Sequence, residues 1–297
     1  MDDVWDAVAG KLEDHFSAAK ACRHTITGRP ISGFQALSNR PRHVVFIDGG
    51  NGSLFLAPSA SVQLVRVAAL EYDGTRRVAT HRKEALCTIT HEGSRIDVQW
   101  AGADWPAFSI EATDQSVETA ADLARHVAER SFARPFTQLV VFDGDLEPRH
   151  DVERKVLDSL QMPHCALAKT TSLLTDQGNS IAGVLQASGP KEPWLYPLTT
   201  TAFVKLHPLS TRAYRFDVKG ISHAEAAAAL MATNDPSFPG YPYGLVEADI
   251  LARVTMREQQ ALAELLRTRL GGRWQEHSGA LDAHAVLDAI AGNVSAR

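Results

Sequence analysis

The sequence has few cysteines, no long apolar run and no excess of positive charge. Its 297 residues include only three cysteines, an odd number and widely spaced, which excludes a disulfide framework and a cysteine-based metal site. No apolar run reaches the roughly 20 residues that a membrane-spanning helix needs, and the amino-terminal residues show no signal-peptide core. These absences predict a cytoplasmic protein in a reducing environment, with no membrane partner.

Basic residues are outnumbered by acidic ones. The chain has 30 Lys and Arg against 35 Asp and Glu, for a net charge of −5. Nucleic-acid-binding proteins usually carry a basic surface, so any binding of nucleic acid would need a local basic groove or a partner that supplies positive charge. A hydrophobic content of 44% and a charged content of 22% are typical of a globular chain with a substantial core.

Two apolar stretches of the same form stand out from this background. Residues 43–50 read HVVFIDGG and residues 138–145 read QLVVFDGD. Each apolar run has the length of a buried strand, and each Asp-Gly step predicts the end of that strand. If the two strands are neighbours, Asp48 and Asp143 converge, and converging carboxylates repel one another unless a cation lies between them. The alternative is that both Asp-Gly steps are ordinary turns.

The ends of the chain predict additions to a central domain. Residues 2–21 have helical spacing of apolar residues, and a final short helix is predicted for residues 282–290. We predict an N-terminal region of residues 1–42, made of this first helix and a connecting loop, followed by a single domain of residues 43–297.

The central domain mixes strands and helices. Residues 61–72, 84–90 and 95–99 predict a meander of antiparallel strands. Residues 117–132 follow as an amphipathic helix, which leads into the second Asp-Gly strand at residues 138–143. Helices and strands alternate after that point, and the whole pattern predicts an α/β fold.

Four acidic residues follow this order of elements. Asp48 lies on the first strand, Glu118 in the first turn of the helix, Asp143 at the end of the fourth strand and Asp249 on a late helix. The arrangement is similar to that of the ribonuclease-H-like nucleases, in which two Mg²⁺ or Mn²⁺ ions promote phosphodiester hydrolysis. We therefore expect a ribonuclease-H-like mixed sheet flanked by helices, with helical N- and C-terminal additions.

Six ordered segments resemble the NurA family over about residues 43–290. They read VVFIDGG, LVRVAALEY, LVVFDGDL, ALAKTTSLL, FVKLHP with YRFDV, and GYPYGLVEADILARVT. NurA proteins are nucleases that work with HerA-type hexameric ATPase translocases in DNA end processing. The resemblance implies a metal-dependent exo- or endonuclease, acting 5′ to 3′ on single-stranded or duplex DNA ends in double-strand break repair. It also implies Mn²⁺ or Mg²⁺ as the cofactor, a homodimer, and a HerA-type translocase as partner.

The resemblance assigns roles to individual residues. Asp48 and Asp143 match the family's two Asp-Gly motifs, and Asp48 would bind both metal ions. Lys169 matches a lysine after the next strand and would steady the scissile phosphate. Asp249 stands where the family usually has His, an exchange that suits a hard metal ion but removes a possible proton shuttle. Tyr241 and Tyr243, in the Tyr-Pro-Tyr stretch before the late helix, are expected to pack in a loop, with contact to a base or sugar as the alternative.

The helical metal ligand is open between two residues. Glu118 lies in the first turn of the predicted helix and Glu129 three turns later. We prefer Glu118, because a first-turn position would project toward the strand ends, and we expect Glu129 on a solvated face. The expected ligands are thus Asp48, Glu118, Asp143 and Asp249.

Departures from the family pattern allow a second hypothesis. The family usually has Ser after Asp-Gly, whereas this chain has Gly50 and Asp145, and Asp249 replaces His. A chain with these changes could keep the fold and dock on the translocase without cleaving DNA. An Argonaute-like RNA-directed enzyme is a weaker alternative, because the chain lacks the length for guide-binding domains.

Overall fold

Thirteen strands and the six helices named below account for most of the described chain. The computed structural model describes residues 6, 8–11, 13, 24–113 and 115–272. The strands are β1 (Thr25–Ile26), β2 (Arg29–Pro30), β3 (Gln35–Ala36), β4 (His43–Ala57), β5 (Ala60–Asp73), β6 (Arg76–Glu92), β7 (Arg95–Ala101), β8 (Phe108–Glu111), β9 (Leu139–Asp143), β10 (His164–Ala168), β11 (Trp194–Pro197), β12 (Ala202–Lys205) and β13 (Tyr214–Lys219). The helices are α1 (Val117–Phe132), α2 (Asp151–Ser159), α3 (Ile181–Ser188), α4 (His223–Met231), α5 (Tyr243–Ala252) and α6 (Met256–Leu270).

Eleven of these strands form one mixed sheet, in the order β3-β11-β12-β13-β10-β9-β4-β5-β6-β7-β8. Strands β4, β5 and β6 form an antiparallel meander, while β4 pairs with β9 and β9 with β10 in parallel. The sequence predicted a mixed sheet of this kind, and the α/β fold class is confirmed.

Helices cover both faces of the sheet. On one face, α1 and α2 contribute to a core that contains Val45, Ile47 and Phe142. On the other face, α4 and α5 pack on a core that contains Phe46 and Val141. The apolar residues of β9 are buried on both sides, as the continuous run Leu-Val-Val-Phe predicts for an inner parallel strand.

Strand β4 does not end at its Asp-Gly step. It pairs with β5 in register through Asp48, Gly49 and Gly50 and continues to Ala57, so the expectation that the strand ends there was wrong. The element that ends at this level is the neighbour β9, whose last pairing with β4 joins Phe142 to Ile47. Asp48 and Asp143 therefore lie on adjacent strands, one residue beyond this pairing.

The N-terminal segment joins the main sheet. Within the expected connecting loop, β1 and β2 form a small hairpin and β3 pairs with β11 at the sheet edge. The described residues before residue 14 are helical; the rest of the predicted first helix and the predicted helix at residues 282–290 lie outside the described residues. The domain boundary at residue 42 stays a prediction. No helix in the described part of the chain has the length and apolar character needed to cross a membrane.

Candidate active site

Asp48 lies at the centre of a group of acidic side chains. Only 8% of the residue is exposed, and its Oδ1 accepts a hydrogen bond from the backbone N–H of Gly49 over 2.8 Å. Burial raises the pKa of Asp48 to about 8, and the charges of Glu129, Asp143 and Asp249 contribute to the shift. A carboxyl group with this pKa keeps its proton at neutral pH.

Glu129 reaches Asp48 because Gly49 has no side chain. A Cβ atom at Gly49 would lie 2.6 Å from Cγ of Glu129, closer than real Cβ contacts allow. Glu129 itself is 3% exposed and accepts a hydrogen bond from Arg125, one helical turn earlier. The Nη1 atom of Arg125 also lies 3.4 Å from the carbonyl oxygen of Gly49, so a protein cation stands directly beside the carboxylates.

Glu129, rather than the expected Glu118, lies beside Asp48. Glu118 is exposed in the first turn of α1, and it is absent from the charges that act on Asp48. Three turns separate the two glutamates, which is roughly 16 Å along the helix axis at 1.5 Å per residue. Helix α1 packs across β4, β5, β6 and β7, and its fourth turn, which carries Glu129, passes over Gly49.

Asp143 is held between a lysine and a tyrosine. Its Oδ2 accepts from Nζ of Lys169 over 2.6 Å and its Oδ1 from the hydroxyl of Tyr241 over 3.0 Å. Lys169 directly follows β10, whose parallel pairing with β9 sets Leu167 opposite Asp143. Burial, followed by the charge of Asp143, raises the pKa of Tyr241 well above its usual range, so the phenol stays protonated and donates.

Tyr241 and Arg125 are residues of this site that the sequence reasoning missed. The Tyr-Pro-Tyr motif drew attention to Tyr241, but neither loop packing nor contact with a base or sugar predicts its hydrogen bond to Asp143. For Arg125, the available signal was its position four residues before Glu129, a spacing at which opposite charges meet on a helix. Because Glu129 was expected on a solvated face, this spacing did not point to Arg125 as a residue of the site.

Asp249 lies at the edge of the acidic group. Its side chain is 46% exposed and pairs with Arg253 over 2.6 Å. The end of α5 rests against β4, because a Cβ atom at Gly50 would lie 2.4 Å from the carbonyl oxygen of Ala252. Glu247, two positions before Asp249, points elsewhere and pairs with Arg77 over 3.1 Å, as expected for residues about 200° apart on a helix.

The group offers the oxygen donors that hard divalent cations prefer. Within the ranges that the structure describes, however, no three His, Cys, Asp or Glu side chains are arranged to hold a metal ion. Glu129 is paired with Arg125, Asp143 with Lys169 and Asp249 with Arg253. These carboxylate oxygens have the chemistry that a divalent ion requires. In this structure their charge is neutralised by Arg125, Lys169 and Arg253.

Comparison with known proteins gives a match in fold but none in sequence. No family model and no curated protein matches the chain. The solved NurA nuclease from Sulfolobus solfataricus is 11% identical, with 91% of this chain and 97% of that chain covered at a TM-score of 0.57. A second structure, described as NurA, is 8% identical, with 91% and 98% covered at a TM-score of 0.60. A Ciona intestinalis endonuclease V is 9% identical, with 76% and 92% covered at a TM-score of 0.44. The chain has the fold of the two NurA structures, and the resemblance seen in the sequence is confirmed at that level.

Proposed function

We propose that this chain, which has the fold of the NurA structures, is a metal-dependent DNA nuclease that hydrolyses phosphodiesters at DNA ends. The observation that supports it best is the placement of Asp48 and Asp143 on adjacent parallel strands with Glu129 closing over them. Carboxylates brought together at one point of a sheet repel one another, and two of these three, Asp48 and Glu129, are also buried. They suit a site that binds cations.

Three carboxylates form the inner part of the proposed metal site. Asp48, Glu129 and Asp143 would hold Mn²⁺ or Mg²⁺, and Asp249 would approach from α5. When bound, the ions would lower the pKa of an attacking water and neutralise charge on the scissile phosphate.

The remaining groups of the site act on the substrate or on the ligands. Lys169 is 49% exposed beside Asp143 and is placed to donate to a phosphate oxygen. Tyr241 fixes one oxygen of Asp143 by its hydrogen bond and so orients the carboxylate. Arg125 donates a hydrogen bond to Glu129 next to Asp48 and lowers the electrostatic cost of the acidic group.

A nuclease assay tests this proposal. Labelled single-stranded and duplex DNA should be cleaved by the wild type with Mn²⁺ or Mg²⁺, and cleavage should cease with EDTA. Asp48→Asn should reduce the rate by more than the roughly 10–100-fold that losing an outer-shell partner costs. Failure of the wild type to cleave with either metal, both alone and with a HerA-type translocase, would refute the proposal. Cleavage that survives Asp48→Asn would refute the site.

A second candidate function is that of a non-catalytic partner of the translocase. It is favoured by the ion pairs that already occupy Glu129, Asp143 and Asp249. Binding to the translocase without cleavage of any DNA substrate would establish this function in place of the first.

The proposed assembly rests on the resemblance of the sequence motifs to the NurA family. We propose a homodimer that docks on a HerA-type hexameric translocase and threads DNA ends toward the acidic group. Light scattering on the purified protein measures the first association, and co-sedimentation with the translocase measures the second. The polarity of cleavage, proposed as 5′ to 3′, is read from the products of end-labelled strands.

A further inference from the structure

A groove leads away from the acidic group on the side of Lys169. Lys169 forms one end, the exposed surface of α3 forms the floor, and the segment before β13 forms the far wall. The groove has a volume of about 360 Å³. Since Lys169 is both the end of this groove and the ion-pair partner of Asp143, the groove and the acidic group form one continuous surface.

The groove is positively charged, in contrast to the chain as a whole. Lys169 and Arg212 both line it, and the described residues of its lining include no carboxylate. Arg212 is exposed and forms no ion pair with any residue in the described ranges. A surface cation without an acidic partner, next to a group that would act on phosphodiesters, points to a phosphate as the partner.

Small residues make up most of the floor of the groove. Helix α3 contributes Ala182, Gly183, Gln186 and Ala187 to the lining, and the amide of Gln186 donates to the carbonyl oxygen of Ser210. A Cβ atom added at Gly183 would meet only Ser180, at 3.8 Å. Small side chains here leave room for a sugar and base to lie on the helix. The volume is at the low end of ligand pockets, which run from about 300 to 1,000 Å³, and it fits one nucleotide rather than a base pair.

We propose that this groove binds the nucleotide next to the scissile phosphate on a single DNA strand. Lys169 contacts the scissile phosphate, the sugar and base lie on α3, and Arg212 contacts the following phosphate. This inference rests on the proposed nuclease function and assigns the side of the acidic group on which an unpaired strand lies. It makes the substrate at the site single-stranded, so a duplex end must be opened before it is bound.

Binding without cleavage tests the groove separately from the nuclease function. The probe is a fluorescein-labelled 12-residue oligothymidylate, titrated with full-length Asp48→Asn protein in EDTA between 50 and 200 mM NaCl, with fluorescence anisotropy as the readout. Adding Arg212→Gln removes one phosphate contact. It should weaken binding about 5-fold at 0.1 M salt and reduce the slope of log K against log salt by about 0.7, the value for one contact to a single strand.

Arg154→Gln is the matched control. Arg154 is an exposed arginine on α2 that lies near His164, at the start of β10, whereas Lys169 follows the end of that strand. Its removal should leave both the affinity and the salt slope unchanged. An equal loss in Arg154→Gln and Arg212→Gln would mean that only the net charge matters, and would overturn the proposal.

Ala187→Trp tests the floor without changing the charge. Ala187 is exposed, so the indole should fill the groove, weaken binding of the oligothymidylate and leave the salt slope unchanged, with an unaltered melting temperature. The proposal that the groove binds a nucleotide would be wrong if the parent protein did not bind the oligothymidylate. It would also be wrong if either Arg212→Gln or Ala187→Trp bound the oligothymidylate as tightly as the parent protein does. Failure of the nuclease function itself appears in a different experiment, as absence of cleavage by the wild type with metal.

Discussion

At the scale of single residues, the site is defined by its buried carboxyl groups. Asp48 is surrounded by apolar strands and faces three other carboxylates, which raises its pKa to about 8. Position in the sequence predicted Asp48 and Asp143, because each ends an apolar run with Asp-Gly. It did not predict Glu129, since a glutamate on a helix next to arginines has the pattern of a solvated face, and only the missing side chain of Gly49 makes room for it.

The raised pKa of Asp48 predicts how stability depends on pH in the absence of metal. The folded state holds this proton up to about pH 8, whereas the unfolded chain releases it near 3.8. The contribution of Asp48 to the free energy of unfolding is therefore undiminished below about pH 4 and falls as the pH rises toward 8. Asp48→Asn removes the effect, so its melting temperature in EDTA should exceed that of the wild type by roughly 5 °C at pH 8.

The melting curves of the two proteins at pH 4 and pH 8, measured in EDTA, give the comparison. The difference should be near zero at pH 4 and grow toward pH 8. A variant that is less stable than the wild type at pH 8 would show that Asp48 is ionised and stabilised in the folded protein.

The two candidate helical ligands are distinguished by a matched pair of variants. Glu129→Gln should weaken Mn²⁺ binding by at least about 10-fold, because its carboxylate adjoins Asp48. Glu118→Gln changes the same functional group on the same helix, roughly 16 Å away, and should leave binding unchanged. Isothermal titration with Mn²⁺ measures both constants. The reverse result would reinstate Glu118 as the ligand.

At the scale of elements, helices come close to β4 where the strand consists of glycine. Helix α1 approaches at Gly49 and the end of α5 at Gly50. From the sequence, the existence of β4 and β9 could be predicted from apolar runs, whereas their pairing was left as a condition that the structure meets. Its continuation through Asp-Gly-Gly could not, because the same residues favour a turn and only pairing with β5 overrides that preference. Contacts between distant helices and these glycines leave no local pattern in the sequence.

Gly50→Ala should test the contact between β4 and α5. The added Cβ would lie 2.4 Å from the backbone carbonyl of Ala252, so α5 and its Asp249 must shift, at a cost of about 1–3 kcal/mol in unfolding free energy. Gly183→Ala, where the space is open, is the control and should be neutral or stabilising by up to about 1 kcal/mol. Urea unfolding measures both changes, and equal stability of Gly50→Ala and the wild type would contradict this packing.

At the scale of the whole molecule, this chain shares its fold with proteins whose sequences differ widely from its own. An identity of 8% to 11% with the NurA structures accompanies coverage of 91% of this chain, because many apolar side chains satisfy the same buried positions. The order of apolar runs and acidic residues was therefore enough to predict the fold. The net charge of −5 hides a local basic groove beside the acidic group, which composition cannot predict.

Metal binding should stabilise the whole protein by mass action. At a Mn²⁺ concentration of about 100 times the dissociation constant, the free energy of unfolding should rise by about 2.7 kcal/mol, and EDTA should reverse the rise. Differential scanning calorimetry of the wild type and Asp48→Asn with and without Mn²⁺ measures the effect. An equal rise in both proteins would place the ion away from Asp48.

Anomalous diffraction from crystals of the wild type grown with Mn²⁺ tests the central claim most directly. The expected result is an anomalous peak between Asp48 and Asp143 and within ligand distance of Glu129, with Arg125 and Lys169 displaced from the carboxylates. The peak should be absent from crystals of Asp48→Asn. Crystals with no Mn²⁺ peak at these residues, or with the peak at Glu118 instead, would contradict the assignment of this acidic group as a metal-dependent nuclease site.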